Sequence, residues 1–256
     1  MKKICIWLCV VSCVVQSTPG AELRNGERSE IMVFSAASLT DVMKEIVNAF
    51  EKKHGTRVKM NMASSGTLAR QISQGMVPDV YISASRRWME FVDSLGYMKK
   101  GTVKEVVENK LVLIAPSVAS AKTVVIDRSL DLIGMIGDGR LSMGDPAHVP
   151  AGKYAKEALT HFGWESVLEK HVLPAKDVRS ALMVMEMGEA PLGIVYRTDA
   201  LKSRKVRVVG TFPPEAHEPI VYMAGVCSDN DLAGLFMLFL VSDASLEIWH
   251  GFGFIR

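Results

Sequence analysis

The run Ile31-Met32-Val33-Phe34-Ser35-Ala36-Ala37-Ser38-Leu39-Thr40-Asp41-Val42 changes its hydrophobic period halfway along. Residues 31–34 are uninterruptedly apolar, which marks a short strand covered on both faces. From Leu39 the apolar positions Leu39, Val42, Met43, Ile46, Val47 and Phe50 recur at helical spacing and share one face. Lys52, Lys53 and His54 bring positive charge to the far end of that helix, and Gly55 supplies its stop. A strand feeding a helix through a tight turn is the repeating unit of an α/β protein.

The same alternation extends outward. Residues 58–62 alternate as a strand and a short helix follows over 67–74. Residues 80–83 form another strand, then Trp88, Phe91, Val92 and Leu95 mark a helix ended by Gly96. Beyond them the pattern predicts strands at 111–115, 141–144, 192–196, 206–209 and 220–226. Helices are expected at 151–162 and 177–187, stopped by Gly163 and Gly188, and the chain ends on the stripe Leu232, Leu235, Phe236, Phe239 and Leu240. No fixed-period repeat and no low-complexity linker interrupts this order. The expected fold class is α/β, with mixed, mainly parallel sheets flanked by helices on both faces. A two-lobed arrangement then requires the chain to cross between lobes on strands, for which 111–115 and 220–226 are the candidates.

Composition narrows the function. The 256 residues are 48% hydrophobic and 23% charged, which excludes a disordered chain. Lys and Arg number 30 against 28 Asp and Glu, too even a balance for a nucleic-acid platform. Residues 1–21 stand apart: Lys2 and Lys3, an apolar run to Val15, then the break Gln16-Ser17-Thr18-Pro19-Gly20. This is the pattern of a secretory signal, too short to span a membrane. It is cut either before Cys13, after the lipoprotein-like Val10-Val11-Ser12, with lipidation of that cysteine, or near Ala21 to release a soluble protein. The mature chain keeps Cys227 alone and so has no internal disulfide; that cysteine reads as a small buried hydrophobe.

The informative feature is what precedes the helices. Ser38 stands before Leu39-Thr40-Asp41 as a capping serine, and Ser64-Ser65-Gly66-Thr67 repeats the arrangement. Val149-Pro150-Ala151-Gly152 places proline in a first turn, and Asp177 caps a helix beginning at Val178. In an open α/β sheet such starts gather at the carboxyl edge of the strands, where ligands bind. Each offers unpaired N–H donors and partial positive charge, so several together suit an anion without any Lys or Arg. Ala36, Ala37, Ala63, Gly66, Ala151 and Gly152 leave room for backbone to approach it closely. Each start taken singly also reads as an ordinary cap.

A secreted serine hydrolase using Ser38 or Ser65 is the competing reading, but neither serine lies in a Gly-x-Ser-x-Gly elbow. His54, His148, His161, His171, His217 and His250 show no paired metal spacing. His148 is the best base candidate, though it leads into a turn. Met183, Met185 and Met187 read as core filler, Asp79 as structural, and Arg70, Lys153 and Arg179 as solvated charges near helix starts.

At these same positions the chain resembles the substrate-binding proteins of bacterial molybdate ABC transporters. The matching runs are residues 34–40, 63–71 and 78–84, the specific Asp145-Pro146-Ala147-His148-Val149-Pro150-Ala151-Gly152, and Ala190-Pro191-Leu192-Gly193-Ile194-Val195-Tyr196. The similarity covers residues 30–256. It implies the two-lobed type II periplasmic-binding fold, with residues 29–110 plus 227–256 as lobe I, residues 111–226 as lobe II, and a ligand cleft between them. It implies that Ser38 and Ser65 donate hydroxyl and backbone N–H bonds, that Ala151 and Val178 donate backbone N–H groups, and that the Tyr196 hydroxyl completes the set. Gly66 departs from the serine usual at its position. The implied protein is no enzyme and carries no cofactor. It is a monomer outside the cytoplasm that hands molybdate or tungstate to a membrane permease. Sulfate, a metal ion or a small organic anion remain alternative ligands for the same fold.

Overall fold

The computed structural model describes residues 30–119 and 122–256. The signal segment, Cys13 and the cleavage positions lie outside the described residues. Two five-stranded sheets organise the chain. The first has the order β2-β1-β3-β10-β4, built from β1 (Glu30–Ala36), β2 (Arg57–Ala63), β3 (Val80–Ser83), β4 (Lys104–Glu108) and β10 (Val221–Val226). The second has the order β7-β6-β8-β5-β9, from β5 (Leu111–Pro116), β6 (Leu141–Gly144), β7 (Val172–Ala175), β8 (Leu192–Tyr196) and β9 (Val206–Thr211).

Period-two alternation explains why the central strands of the first sheet are apolar throughout. Ile31, Val33, Val80, Ile82, Tyr222 and Ala224 face one core, together with Val42, Met43, Ile46 and Phe50 of helix α1 (Thr40–His54). Phe34, Tyr81, Val221 and Met223 face the other, with Leu68, Ala69 and Ile72 of α2 (Ser65–Ser73) and Met89 and Val92 of α3 (Arg86–Ser94). A strand covered on both faces has no polar side to show. The α1 stripe is buried as its spacing requires, and Gly55 closes the helix at φ 67° in the left-handed region that glycine tolerates. Helices α9 (Asp231–Leu240) and α10 (Asp243–Gly251) complete the first core, with the Phe236 ring edge-on to Phe50 at 5.0 Å.

As expected, the sheets are mixed and mainly parallel in direction: in each, four strands run one way and a single strand, β10 or β5, runs against them. β1 runs parallel to β2 and β3, and β6 to β7 and β8, while β10 and β5 are antiparallel to both of their neighbours. The strand expected to cross out of lobe II, Val221–Val226, lies inside the first sheet between β3 and β4. The chain therefore passes between sheets at Asn109-Lys110 and again between β9 and β10, through connecting segments rather than along strands. Strands β4 and β7 were not expected. Both are edge strands: Lys104-Glu105-Val106-Val107-Glu108 has charged ends, and β7 carries Pro174, features that keep an edge from further pairing and blur its pattern. Of the three methionines on α7 (Val178–Glu186 and the residue after it), Met185 is buried while Met183 and Met187 are exposed.

Candidate ligand-binding site

The carboxyl ends of the parallel strands in both sheets point at one place, and each leads straight into a helix start. From the first sheet, β1 ends at Ala36 and continues through a 3-10 turn, Ala37–Leu39, into α1; β2 ends at Ala63 before α2; β3 ends at Ser83. From the second, β6 leads by a turn to α5 (Pro150–His161), β7 leads to α7, and β8 ends at Tyr196. A single cavity between them is lined by Ala36, Ala37, Ser38, Ser64, Ser65, Ala84, Val149, Pro150, Ala151, Asp177, Val178 and Tyr196. All five positions singled out from the sequence, Ser38, Ser65, Ala151, Val178 and Tyr196, therefore line one space. It has about 10 Å³ of room for the centre of a water-sized sphere, the scale of a small ion rather than of an organic metabolite.

Hydroxyl and backbone N–H donors reach the wall among small apolar side chains and the Asp177 carboxylate. Ser65 Oγ accepts the backbone N–H of Ala84 at 3.0 Å, so its hydroxyl proton is free for another partner. Ser38 Oγ lies 2.9 Å from the Tyr222 hydroxyl, which was not expected: Ser38 sits inside the 3-10 turn and caps nothing. In α2 the cap is Ser64, whose Oγ accepts the N–H of Thr67, leaving the first N–H groups of the helix for the cavity. Asp177 caps α7 as expected, accepting the N–H of Ser180, and α5 begins with Pro150 in its first turn and no side-chain cap. The Tyr196 hydroxyl is wholly buried and has no hydrogen-bond partner among the described residues. Burial pushes its pKa well above the ordinary phenol value, so it keeps its proton. A buried, unpaired hydroxyl costs about 1–3 kcal/mol, and on a cavity wall it marks where an acceptor belongs.

Among the described residues, no positive side chain lines the cavity. Arg179, on the first turn of α7, is held between Asp41 of α1 and Asp199 of α8 (Arg197–Lys202). This bridge also ties the two sheets together, as do the Tyr154 hydroxyl donating to the Ala84 carbonyl at 3.4 Å and the packing of Gly66 on His148. A Cβ at Gly66 would stand 2.3 Å from the His148 carbonyl oxygen. Gly152 likewise lies against the Gly144 carbonyl, so these two glycines serve close packing of backbone on backbone, while Ala36, Ala37 and Ala151 face the cavity.

The His148 ring lies 3.5 Å from Asp145 Oδ2, and the hydrogen-bonding neighbour of Ser38 is a phenol rather than an imidazole. Burial pushes the Cys227 thiol up to about 12, which leaves it protonated and unreactive. The residues that sequence reasoning missed are Tyr222, Asn109 and Thr198. A signal for Tyr222 existed, because a tyrosine in an otherwise apolar buried strand needs a partner for its hydroxyl.

Two α/β lobes meeting over a small cavity at their strand ends are the architecture of a solute-binding protein. Comparison with known proteins agrees. The family model described as bacterial extracellular solute-binding protein matches residues 31–255, and the chain belongs to that family. It is 40% identical over 230 residues to the molybdate-binding protein ModA of Escherichia coli, covering 89% of this chain and 90% of that protein. Among solved structures it is similar to the substrate-binding domain of a putative molybdenum ABC transporter from Clostridium difficile, with TM-score 0.66 and 31% identity over 89% of this chain and 98% of that one. The periplasmic molybdate-binding protein of Azotobacter vinelandii shares the fold at TM-score 0.75 and 24% identity, over 88% of this chain and 99% of that one.

Proposed function

We propose that this protein captures molybdate, or the near-identical tungstate, outside the cytoplasm and delivers it to the membrane permease of an ABC importer. Ser38, Ser65 and Tyr196 donate through their hydroxyls, and Ala151 and Val178 through backbone N–H groups. The observation that carries this reading is the buried Tyr196 hydroxyl without a partner, on the wall of an ion-sized cavity. Molybdate at neutral pH is fully deprotonated and only accepts hydrogen bonds, which suits a wall of donors. Hydrogen bonds to a charged group contribute roughly 1.5–3 kcal/mol each. Five of them, less desolvation and closure costs, are consistent with binding in the micromolar range or tighter, about −8 kcal/mol or better. Neutral donors also leave release easy once the lobes part, a hinge motion typical of such proteins.

The chain acts as a monomer, the ligand is cargo rather than cofactor, and residues 1–21 direct export, with Cys13 as a lipid anchor if cleavage falls before it. Calorimetric titration of the purified protein with molybdate, tungstate, sulfate and hydrogen phosphate tests the reading. Comparable affinity for the first two and weak or no binding of hydrogen phosphate is expected. Preference for sulfate over molybdate, or ester hydrolysis lost in Ser38→Ala, would replace it.

A further inference from the structure

We propose that Tyr222 is a positioning residue that fixes the Ser38 hydroxyl as a donor toward the cavity, with Asn109 setting the direction. This deepens the reading of the cavity as a site for a tetrahedral dianion and rests on it. The backbone N–H of Lys110 donates to Asn109 Oδ1 at 2.8 Å, so the other end of that amide is the nitrogen. Asn109 Nδ2 donates to Thr198 Oγ1 at 2.8 Å and to the Tyr222 hydroxyl oxygen at 3.3 Å. An amide nitrogen cannot accept, so the Tyr222 proton has no place on that side. Tyr222 is fully buried, and its remaining neighbour is Ser38 Oγ at 2.9 Å.

If Ser38 donated to Tyr222 instead, the phenol proton would be stranded in the interior, where an unpaired polar group is costly. The chain therefore runs one way, from Asn109 to Tyr222 to Ser38, and the serine proton is left for the cavity. Burial also pushes the Tyr222 pKa far above the ordinary phenol value, so the donor is never lost near neutral pH.

Ser65 reaches the same state by a different route, through the Ala84 N–H. With each serine oxygen already accepting one hydrogen bond, each hydroxyl proton is directed to the cavity and the serines meet the ligand first as donors. A protonated oxyanion such as hydrogen phosphate meets a donor rather than an acceptor at Ser38, and Tyr222 is the side chain that keeps Ser38 in that role. Asn109 lies where the chain passes between the sheets, and its amide spans Thr198 of one lobe and Tyr222 of the other. The direction of the relay is thus set at the hinge.

The test is a double-mutant cycle on molybdate affinity using Tyr222→Phe, Ser38→Ala and the double variant, with the ligand-free melting midpoint of each recorded. Tyr222→Phe is expected to weaken molybdate binding about 5- to 50-fold in the wild-type background. In the Ser38→Ala background it should change affinity less than about twofold. The preference for molybdate over hydrogen phosphate should fall in Tyr222→Phe, because the Ser38 hydroxyl then has no donor behind it and can turn to accept. An equal effect in both backgrounds, or none in the wild type, overturns the relay. Should Tyr222→Phe fail to fold, Asn109→Ala taken through the same cycle decides the question, with a smaller loss that again depends on Ser38. Wild-type protein that binds no tetrahedral dianion overturns both this inference and the function it rests on, whereas binding with an additive cycle overturns the inference alone.

Discussion

The two lobes reach the same cavity with different chemistry. The first presents serine hydroxyls, each held in its role by a donor behind it: the Tyr222 phenol for Ser38 and the Ala84 N–H for Ser65. The second presents main-chain N–H groups at the starts of α5 and α7, together with one hydroxyl that has nothing behind it, Tyr196. Side-chain donors are removable and need support to point the right way. Main-chain donors survive substitution and are aimed by the helix itself. The first lobe should therefore be the fragile half of the site and the second the robust half, with Tyr196 as its exception.

Ser65→Ala should strike hardest. It removes a donor to the ligand and leaves the buried Ala84 N–H unpaired, so affinity falls by about 1.5–3 kcal/mol and stability by about 1–3 kcal/mol. Titration together with chemical denaturation reads both, and intact stability would mean that Ala84 finds another acceptor. Tyr196→Phe should weaken molybdate binding about 10- to 100-fold while leaving the ligand-free protein as stable or slightly more so, because an unpaired buried hydroxyl disappears. A loss of stability would show that the hydroxyl has a partner after all. Val178→Ala retains the N–H and should alter affinity less than about threefold, with a packing cost of about 1–2 kcal/mol since Val178 is buried. A large loss of affinity there would erase the distinction between the lobes.

A separate, pH-dependent effect on stability concerns the bridge between them. Burial pushes the Asp199 carboxyl up to about 7 from 3.8, against the pull of Arg179, with Asp41 and Asp177 raising it further. Between those values the folded protein holds a proton that the unfolded chain has released, so this group's contribution to stability falls as pH rises through that window. Asp199→Asn should flatten the stability profile over the same range, and NMR titration of the wild-type carboxyl should give a midpoint near 7; a midpoint near the ordinary carboxylate value would contradict it.

How much of this was legible follows from range. The α1 stripe and the two-faced strands β1 and β3 repeat within a few residues, and the sequence displays them directly. Ser38, Ser65, Ala151, Val178 and Tyr196 lie at strand and helix ends, where the sheet topology gathers them. By contrast, Ser38 looks like a cap because capping is a local pattern, whereas its partner Tyr222 is 184 residues away. No spacing rule carries such a contact. Short helices escaped for a related reason: α4 (Leu132–Ile136), α6 (Glu165–Lys170) and α8 span fewer than two turns, too few for a period to show. The edge strands β4 and β7 lack the apolar continuity that exposed their central neighbours.

Gly66 gives the closed cleft its limit. Its bare α-carbon rests against the carbonyl of His148 from the opposite lobe, with the Trp88 ring close beside it, so at this point main chain meets main chain. Any side chain there would act as a wedge, and the enclosure would admit a wider guest at the expense of its grip on a compact one. In this protein a missing side chain, away from the cargo itself, thus helps to set the calibre of the trap.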